Sequence, residues 1–562
     1  MRSRTWLTGL VAVGLAAGAA ACAGVPDSSA VHLGDPVPAA GQGVDGAAVH
    51  EVPALPQPSA TPVELVAGFL NAMVDSDNGY AVARSYLGGS ASWSATSTIT
   101  VYADPPVISR VDARHVDLRA RRVGRIGPGG VYRVVSGTLR RTFTLTRVGG
   151  EWRIASLAPG ALLSAVDVEE VLQPASLYFL TPDGDRVVPE PVLEPPEEPG
   201  LATTLMRALL AGPDPLLAAG VRTAVPRGTT LVGNVPISAD GVAEVDLSAG
   251  VRQISPADLV RLSAQIVWTL RQIPSVSAVR LLATGASLST HEAPSLQPVR
   301  SWPQFDPSAP PSTPGALVVH AGTVTGLDAV VPQALRTPHL AGVARSADGT
   351  LVAALRRTAG GFELLTGDAA GPLLPRLHAP TVTVPCFTPD GQTLVATAPG
   401  KVYAVSLNGV LRPVRLPPAL AGQPIRSLAV SRDGTRLAFV VGGSSPQLRV
   451  ATIAERHDRL SVGASRVVLP SSFDVAGVAW ADADELVATA SDPHGSGRRV
   501  VETSVDGYTV VDLSGPGLPA DVAEVAAAPG RPVLASGAAG TWRLVGHRWE
   551  RVSAGVSPSY AG

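Results

Sequence analysis

The feature that most constrains the fold of this 562-residue chain is a repeat in its C-terminal half. Four segments align: "LAGVARSADGTLVAAL", "TVPCFTPDGQTLVATA", "RSLAVSRDGTRLAFVV" and "AGVAWADADELVATAS". A fifth, "AEVAAAPGRPVLASGA", is degenerate. Each reads strand, turn, strand, and the best copies place Ser or Thr just before the Asp-Gly turn. From Ser346 to Thr388, Ser431, Ala481 and Ala528 the steps are 42, 43, 50 and 47 residues. That period belongs to β-propeller blades of four strands each. "GALVVHAGTVTGLDAVV" supplies another blade or the strands that close the ring, so five or six blades are expected over 316–562. The array lacks the WD dipeptide and the Gly-His signature of typical WD40 propellers.

The other end of the chain carries an address. Arg2 and Arg4 precede an apolar run, Trp6 to Ala20, which is the right length for a signal-peptide core and short for a membrane span. Ala19 and Ala21 are the small residues a peptidase needs. Ala19-Ala20-Ala21-Cys22 resembles a bacterial lipobox, which implies acylation of Cys22 after cleavage between Ala21 and Cys22. A plain secretory signal cut after Ala21 also fits, but it leaves Cys22 unexplained, and an odd exported cysteine calls for a partner or a purpose. Cys386 is the only other cysteine. With Cys22 lipidated, no intramolecular disulfide can form. Residues 1–21 therefore read as a lipoprotein signal peptide. Residues 22–60 read as the lipidated cysteine and a flexible linker, too rich in Pro, Gly, Ala and Ser to offset its ordering entropy.

Between the ends, two α+β domains are expected. The first, 61–165, opens with "TPVELVAGFLNAMV", where Val66, Phe69, Leu70 and Met73 share a helical stripe. A short helix around Tyr80 to Leu87 and four strand-like segments follow, the last two joined at Gly149-Gly150. The second, 175–290, contains the helix "LATTLMRALLAGP" and the long helix after Ser255. There Ser255 caps, Pro256 takes the first helical position, and Leu259, Leu262, Ile266, Leu270 and Ile273 form the buried stripe. A Pro-rich joint, 291–315, leads into the propeller. The fold class is thus multidomain, α+β and all-β.

No enzyme is legible. HExxH, GxSxG, Walker A and CxxC patterns are absent from the sequence. His320, His339 and His378 fall at no metal-ligand spacing. Cys386, within a strand after Pro385, reads as a buried, inert thiol. Asp348, Asp390 and Asp433 before glycine read as hairpin turns, because one carboxylate per blade cannot supply the six or more oxygens of a calcium site. Asp246 and the Gln265–Trp268 pair stand out on the second domain, with core packing the plainer reading for Trp268 than a ligand role. "EPPEEP", 194–199, reads as a solvated acidic loop. No catalytic residue, metal ligand or cofactor is expected, and partner-binding residues are unknown. The net charge of −2 argues against nucleic acid as a partner.

The segments Leu209 to Pro213, Gly220 to Pro226, Val245 to Ser248 and Ala264 to Leu270 resemble the motifs of the GerMN domain of sporulation and germination proteins. With "CAGVPDSS" at the lipobox, an α+β domain before and a propeller after, the order of parts resembles the actinobacterial LpqB lipoprotein family. That resemblance implies a palmitate-type lipid anchor at the cell membrane, on its extracytoplasmic face. It also implies contact with an MtrB-like sensor histidine kinase of the MtrA–MtrB two-component system, and through it effects on cell-envelope homeostasis and division. The family offers no catalytic residues. The competing reading is a glycan-binding or envelope scaffold lipoprotein without a signalling role.

Overall fold

The computed structural model describes residues 53–562 apart from 90, 96–97, 197–199, 313–314, 398–399, 457–458 and 492–496. The signal segment, Ala21, Cys22 and most of the expected linker lie outside the described residues.

Thr61 begins the first helix, α1 (Pro62–Ala72), with a reciprocal cap. The Glu64 N–H donates to Thr61 Oγ1 (3.3 Å), and the Thr61 N–H donates to Glu64 Oε2 (2.8 Å). Pro62 lacks only an N–H that the first turn could not use. Leu65, Val66, Phe69 and Leu70 face inward. After α2 (Asp77–Ser85), five strands follow: β1 (Ile99–Arg110), β2 (His115–Ile126), β3 (Tyr132–Val148), β4 (Glu151–Ser156) and β5 (Ala161–Ser164). They form one sheet in the order β4-β3-β2-β1-β5, with β5 parallel to β1. Gly149 and Gly150, both at positive φ, turn β3 into β4 as the sequence predicts. Phe69 meets Trp93 and Phe143 edge-on at centroid distances of 5.2 and 6.1 Å, which centres the core between α1 and one face of the sheet. The opposite face keeps its polar side chains. A short helix, α3 (Ala165–Val171), leads on.

The second α+β unit pairs β6 (Gln173–Leu180) with β7 (Val187–Glu194) as a hairpin. Helix α4 (Gly200–Ala211) buries Leu201, Leu205 and Leu209. The strand β8 (Val242–Leu247), helix α5 (Pro256–Leu270) and strand β9 (Ala278–Ala283) make a crossover whose strands run parallel. Strands β10 (Ala286–Ser287) and β11 (Leu296–Pro298) pair antiparallel with β9. Ser255 caps α5 as expected, accepting from the Asp258 N–H at 3.1 Å.

Helix α5 is enclosed far beyond the predicted stripe: Ser263, Gln265, Trp268 and Thr269, on its other sides, are buried too. Strand β6 covers Gln265 and Thr269, with the Tyr178 N–H donating to Thr269 Oγ1 at 3.2 Å, and the Pro-rich joint covers Ser263 and Trp268. Gln297 Nε2 donates to Ser263 Oγ (3.0 Å), Trp302 Nε1 to Gln297 Oε1 (2.7 Å), and Trp268 Nε1 to the Trp302 carbonyl (3.2 Å). The joint is a hydrogen-bonded strap over α5. Another expectation changes at Glu194. It ends a buried strand, and burial pushes its carboxyl up to about 7, so the first residue of "EPPEEP" is not in a solvated loop.

Among the described residues the repeats form five four-stranded sheets, spanning 340–379, 386–413, 425–467, 474–512 and 524–553. A sixth sheet is assembled from both ends of the domain. Strands β12 (Ala316–His320) and β13 (Thr323–Leu327) pair together, and the C-terminal strand Val556–Ser559 pairs antiparallel with β12. The ring therefore has six blades and closes through β12. That resolves the two readings of "GALVVHAGTVTGLDAVV" into one: it is both a blade and the closure.

Candidate functional site

The three best repeat turns are built alike. Ser346, Thr388 and Ser431 each donate a hydroxyl hydrogen bond to the Asp two residues on, and Gly349, Gly391 and Gly434 take positive φ. In the first copy, Ser346 Oγ also accepts from the Leu351 N–H at 2.9 Å. Each carboxylate is thus engaged by its own turn, as the sequence predicts, while Asp433 Oδ2 is buried without a hydrogen-bond partner.

Their common position was not legible. Each joins an innermost strand to its neighbour, so the ring gathers all three at one mouth. There they wall a cleft of about 570 Å³, with Ala309–Ser312 of the strap and Arg186 of the β6–β7 turn on its other side. Arg186 Nη1 donates to the Arg432 carbonyl at 3.2 Å, tying the second unit to the third blade. The Arg432 guanidinium donates to the Ala561 carbonyl at 2.5 Å. Burial, and then the charges of Arg186 and Arg531, bring it down to about 10. A cationic, partly desolvated group in a cleft that also holds hydroxyls and the Asp348 and Asp390 carboxylates suits the carbonyls and amides of a peptide. One sequence signal existed: Arg432 stands in "SRDG" where the other copies have Ala347 and Pro389. Nothing in the sequence marks Arg186.

Beside this cleft the domains are locked by buried charge. Glu190, on β7, is 3% exposed and accepts the Asp214 N–H at 3.1 and 3.2 Å. Burial pushes its carboxyl up to about 7, while the Asp214 bond and Arg436 act to lower it. Arg436, in the third blade, donates to the carbonyls of Pro189 and Ala483. Asp214 in turn pairs with Arg133 of β3 at 2.5 Å. Tyr132 of β3 stacks edge-on with Tyr508 of the fourth blade at 5.3 Å. The first domain, the second and the propeller therefore share one polar junction, and Gly220 fits it closely, since a Cβ there would lie 3.1 Å from the Thr435 carbonyl.

The residues singled out in the sequence are scattered. Gln265 is a structural bridge: the Ala224 N–H donates to its Oε1 (2.6 Å), and its Nε2 donates to the Tyr178 carbonyl (3.0 Å). Trp268 packs against Tyr178 at 5.5 Å and beneath the Arg271 guanidinium at 3.3 Å. Asp246 Oδ2 accepts from the Gly285 N–H at 2.9 Å. Burial holds the Cys386 thiol up at about 12. His320, His339 and His378 lie apart, and the described residues hold no metal-ligating group of three or more. No described helix is long and apolar enough to cross a membrane.

Comparison with known proteins follows the same order of parts. Residues 55–169 match the family model for the N-terminal domain of lipoprotein LpqB, 176–289 the sporulation and spore germination model, and 315–561 the LpqB β-propeller domain. Lipoprotein LpqB of Thermobifida fusca is 28% identical over 97% of each chain. Its counterpart in Mycolicibacterium smegmatis is 29% identical over 87% of each. TolB from Acinetobacter baumannii is similar over 36% of this chain and 48% of its own, at 18% identity and a TM-score of 0.27. Two LpqB domain models flanking a germination-type domain, with full-length relatives of the same name, place the chain in the LpqB family of membrane-anchored lipoproteins.

Proposed function

We propose that the chain is a non-enzymatic binding protein, lipid-anchored through Cys22 on the extracytoplasmic face of the membrane. Its partner is the extracytoplasmic part of an MtrB-like sensor histidine kinase, whose output it modulates, and with it envelope homeostasis and division. The observation that carries this reading is the cleft at the propeller mouth. It joins Arg186 and Arg432 from two domains on a frame that the polar junction holds together. Loops on a fixed scaffold are where recognition is concentrated. Such a protein shifts a kinase only by binding one of its states better than another, about 1.4 kcal/mol of difference giving a tenfold shift.

Titrating the purified kinase segment with wild-type protein and with the Arg186→Ser/Arg432→Ser variant tests the reading. Loss of two charge-assisted contacts should weaken binding by about tenfold or more, with the melting temperature tracked to exclude unfolding. Unchanged affinity in a folded variant, or binding only to purified glycan strands, would replace the kinase reading with the wall-scaffold one.

A further inference from the structure

The chain as a whole carries a charge of −2, yet its charge is far from evenly spread. Between Ile99 and Ser156, the first four strands and their turns hold 11 arginines against four carboxylates (Asp104, Asp112, Asp117 and Glu151). Register places several of these arginines on the sheet face away from the core. Arg119 of β2 stands directly opposite Arg140 of β3, and Arg121 opposite Thr138. Like charges directly across a ladder destabilise a sheet, so folding alone gives no reason for the Arg119–Arg140 pair. Among the described residues no carboxylate lies within ion-pair distance of either. Arg133, by contrast, is committed to Asp214.

Two further observations say what covers this face. A groove of about 620 Å³ runs along it, walled by Arg119, Arg121, Arg122, Thr138 and the hydroxyl residues Ser471 and Ser472, with no carboxylate in its lining. Arg122 Nε in that wall is buried without a hydrogen-bond partner. Apolar side chains stand among the cations. Val107, paired across from Arg119, is 64% exposed, and Val111 at the β1–β2 turn is 60% exposed. Exposed valines beside arginines match the boundary between headgroup and acyl chain. In sequence, this sheet belongs to the first folded domain after the expected anchor.

We propose that the outer face of the β1–β3 sheet is a membrane-docking surface for anionic phospholipids. The phosphates sit against Arg119 and Arg140 and in the groove, and Val107 and Val111 enter the interface. The proposal uses the family's membrane location but not the kinase reading. The lipid anchor at Cys22 tethers the chain without orienting it, and a basic face beside exposed apolar side chains supplies a second, orienting contact. Each arginine near an anionic surface strengthens binding about fivefold, so two act about 25-fold together.

The test uses residues 53–562, which contain every core described above, so binding is read without the anchor. Sedimentation is measured with phosphatidylcholine vesicles and with vesicles also containing phosphatidylglycerol, at low and high salt. Binding to the anionic vesicles alone is expected, falling with salt. It should drop by about fivefold for Arg140→Ser and far more for Arg119→Ser/Arg140→Ser. Val107→Ser should also weaken it, an effect that a site for a soluble anion would not show. Removing an opposed cation leaves the fold at least as stable, so melting curves separate binding loss from unfolding. Equal binding to both vesicle types, no effect of the double variant, or binding of inorganic phosphate without vesicle binding would each overturn the membrane assignment.

Discussion

The polar junction and the outer face of the first sheet both concentrate charge, and they treat it in opposite ways. At the junction, Glu190, Asp214 and Arg436 are enclosed and given backbone partners. On the sheet, Arg119 and Arg140 face each other and solvent. Buried charge with its hydrogen bonds satisfied fixes geometry, because removing any one member strands the others. Open charge of one sign fixes nothing in the fold and leaves a field for a partner. The comparison separates residues that hold the domains together from residues free to bind.

The largest expected effect lies at the junction. Arg436→Ala removes the donor to the Pro189 and Ala483 carbonyls and the cation beside Glu190. A loss of about 3–5 kcal/mol is expected from breaking such a set. Calorimetry should show it, with the propeller and the second domain unfolding in separate transitions. A single unshifted transition would show that the junction does not lock the domains.

The next effect is smaller and depends on pH. Glu190 and Glu194 both titrate near 7 in the folded protein, above the ordinary glutamate value of 4.5. A raised carboxyl favours folding fully while the unfolded group is also protonated. As pH rises from about 4.5 to 7 the unfolded state loses its protons first, and stability falls; above 7 the loss is complete. A decline on the order of 1–3 kcal/mol per group follows. Melting temperature should therefore drop between pH 5 and pH 7.5, as set by those values, and Glu190→Gln should flatten the slope. A flat profile in the wild type contradicts the account.

Gln265→Leu tests whether the enclosure of α5 depends on its polar bridge. It leaves the Ala224 N–H and the Tyr178 carbonyl without partners, a cost of about 1–3 kcal/mol readable in urea melts. The smallest effect belongs to the open face, where Arg140→Ser should alter stability by less than about 1 kcal/mol, in the stabilising direction. A large loss there would mean that the sheet needs its arginines to fold.

These contrasts also explain what the sequence could show. Period and capping are local, so the blades, the Ser255 cap and the Gly149-Gly150 turn were readable. Ring closure was only half legible, because Val556–Ser559 joins β12 from the far end of the chain. The second face of α5 is not legible, since its cover comes partly from β6, through Tyr178, and partly from Gln297 and Trp302 in a segment whose prolines suggest a linker. The arginine face was hidden by the whole-chain charge, which averages a basic sheet against acidic surroundings. The propeller-mouth cleft needed the fold itself, since Arg186 and Arg432 are brought together only by the packing of two domains.

The most direct test of the central claim is crosslinking in intact membranes. A photoreactive side chain placed at Ala347 or Leu407, both in the cleft lining, should capture the sensor kinase. Capture should fall in the Arg186→Ser/Arg432→Ser background and in Cys22→Ala. Robust crosslinks to glycan strands or other envelope proteins, with none to the kinase from either position, would contradict the account.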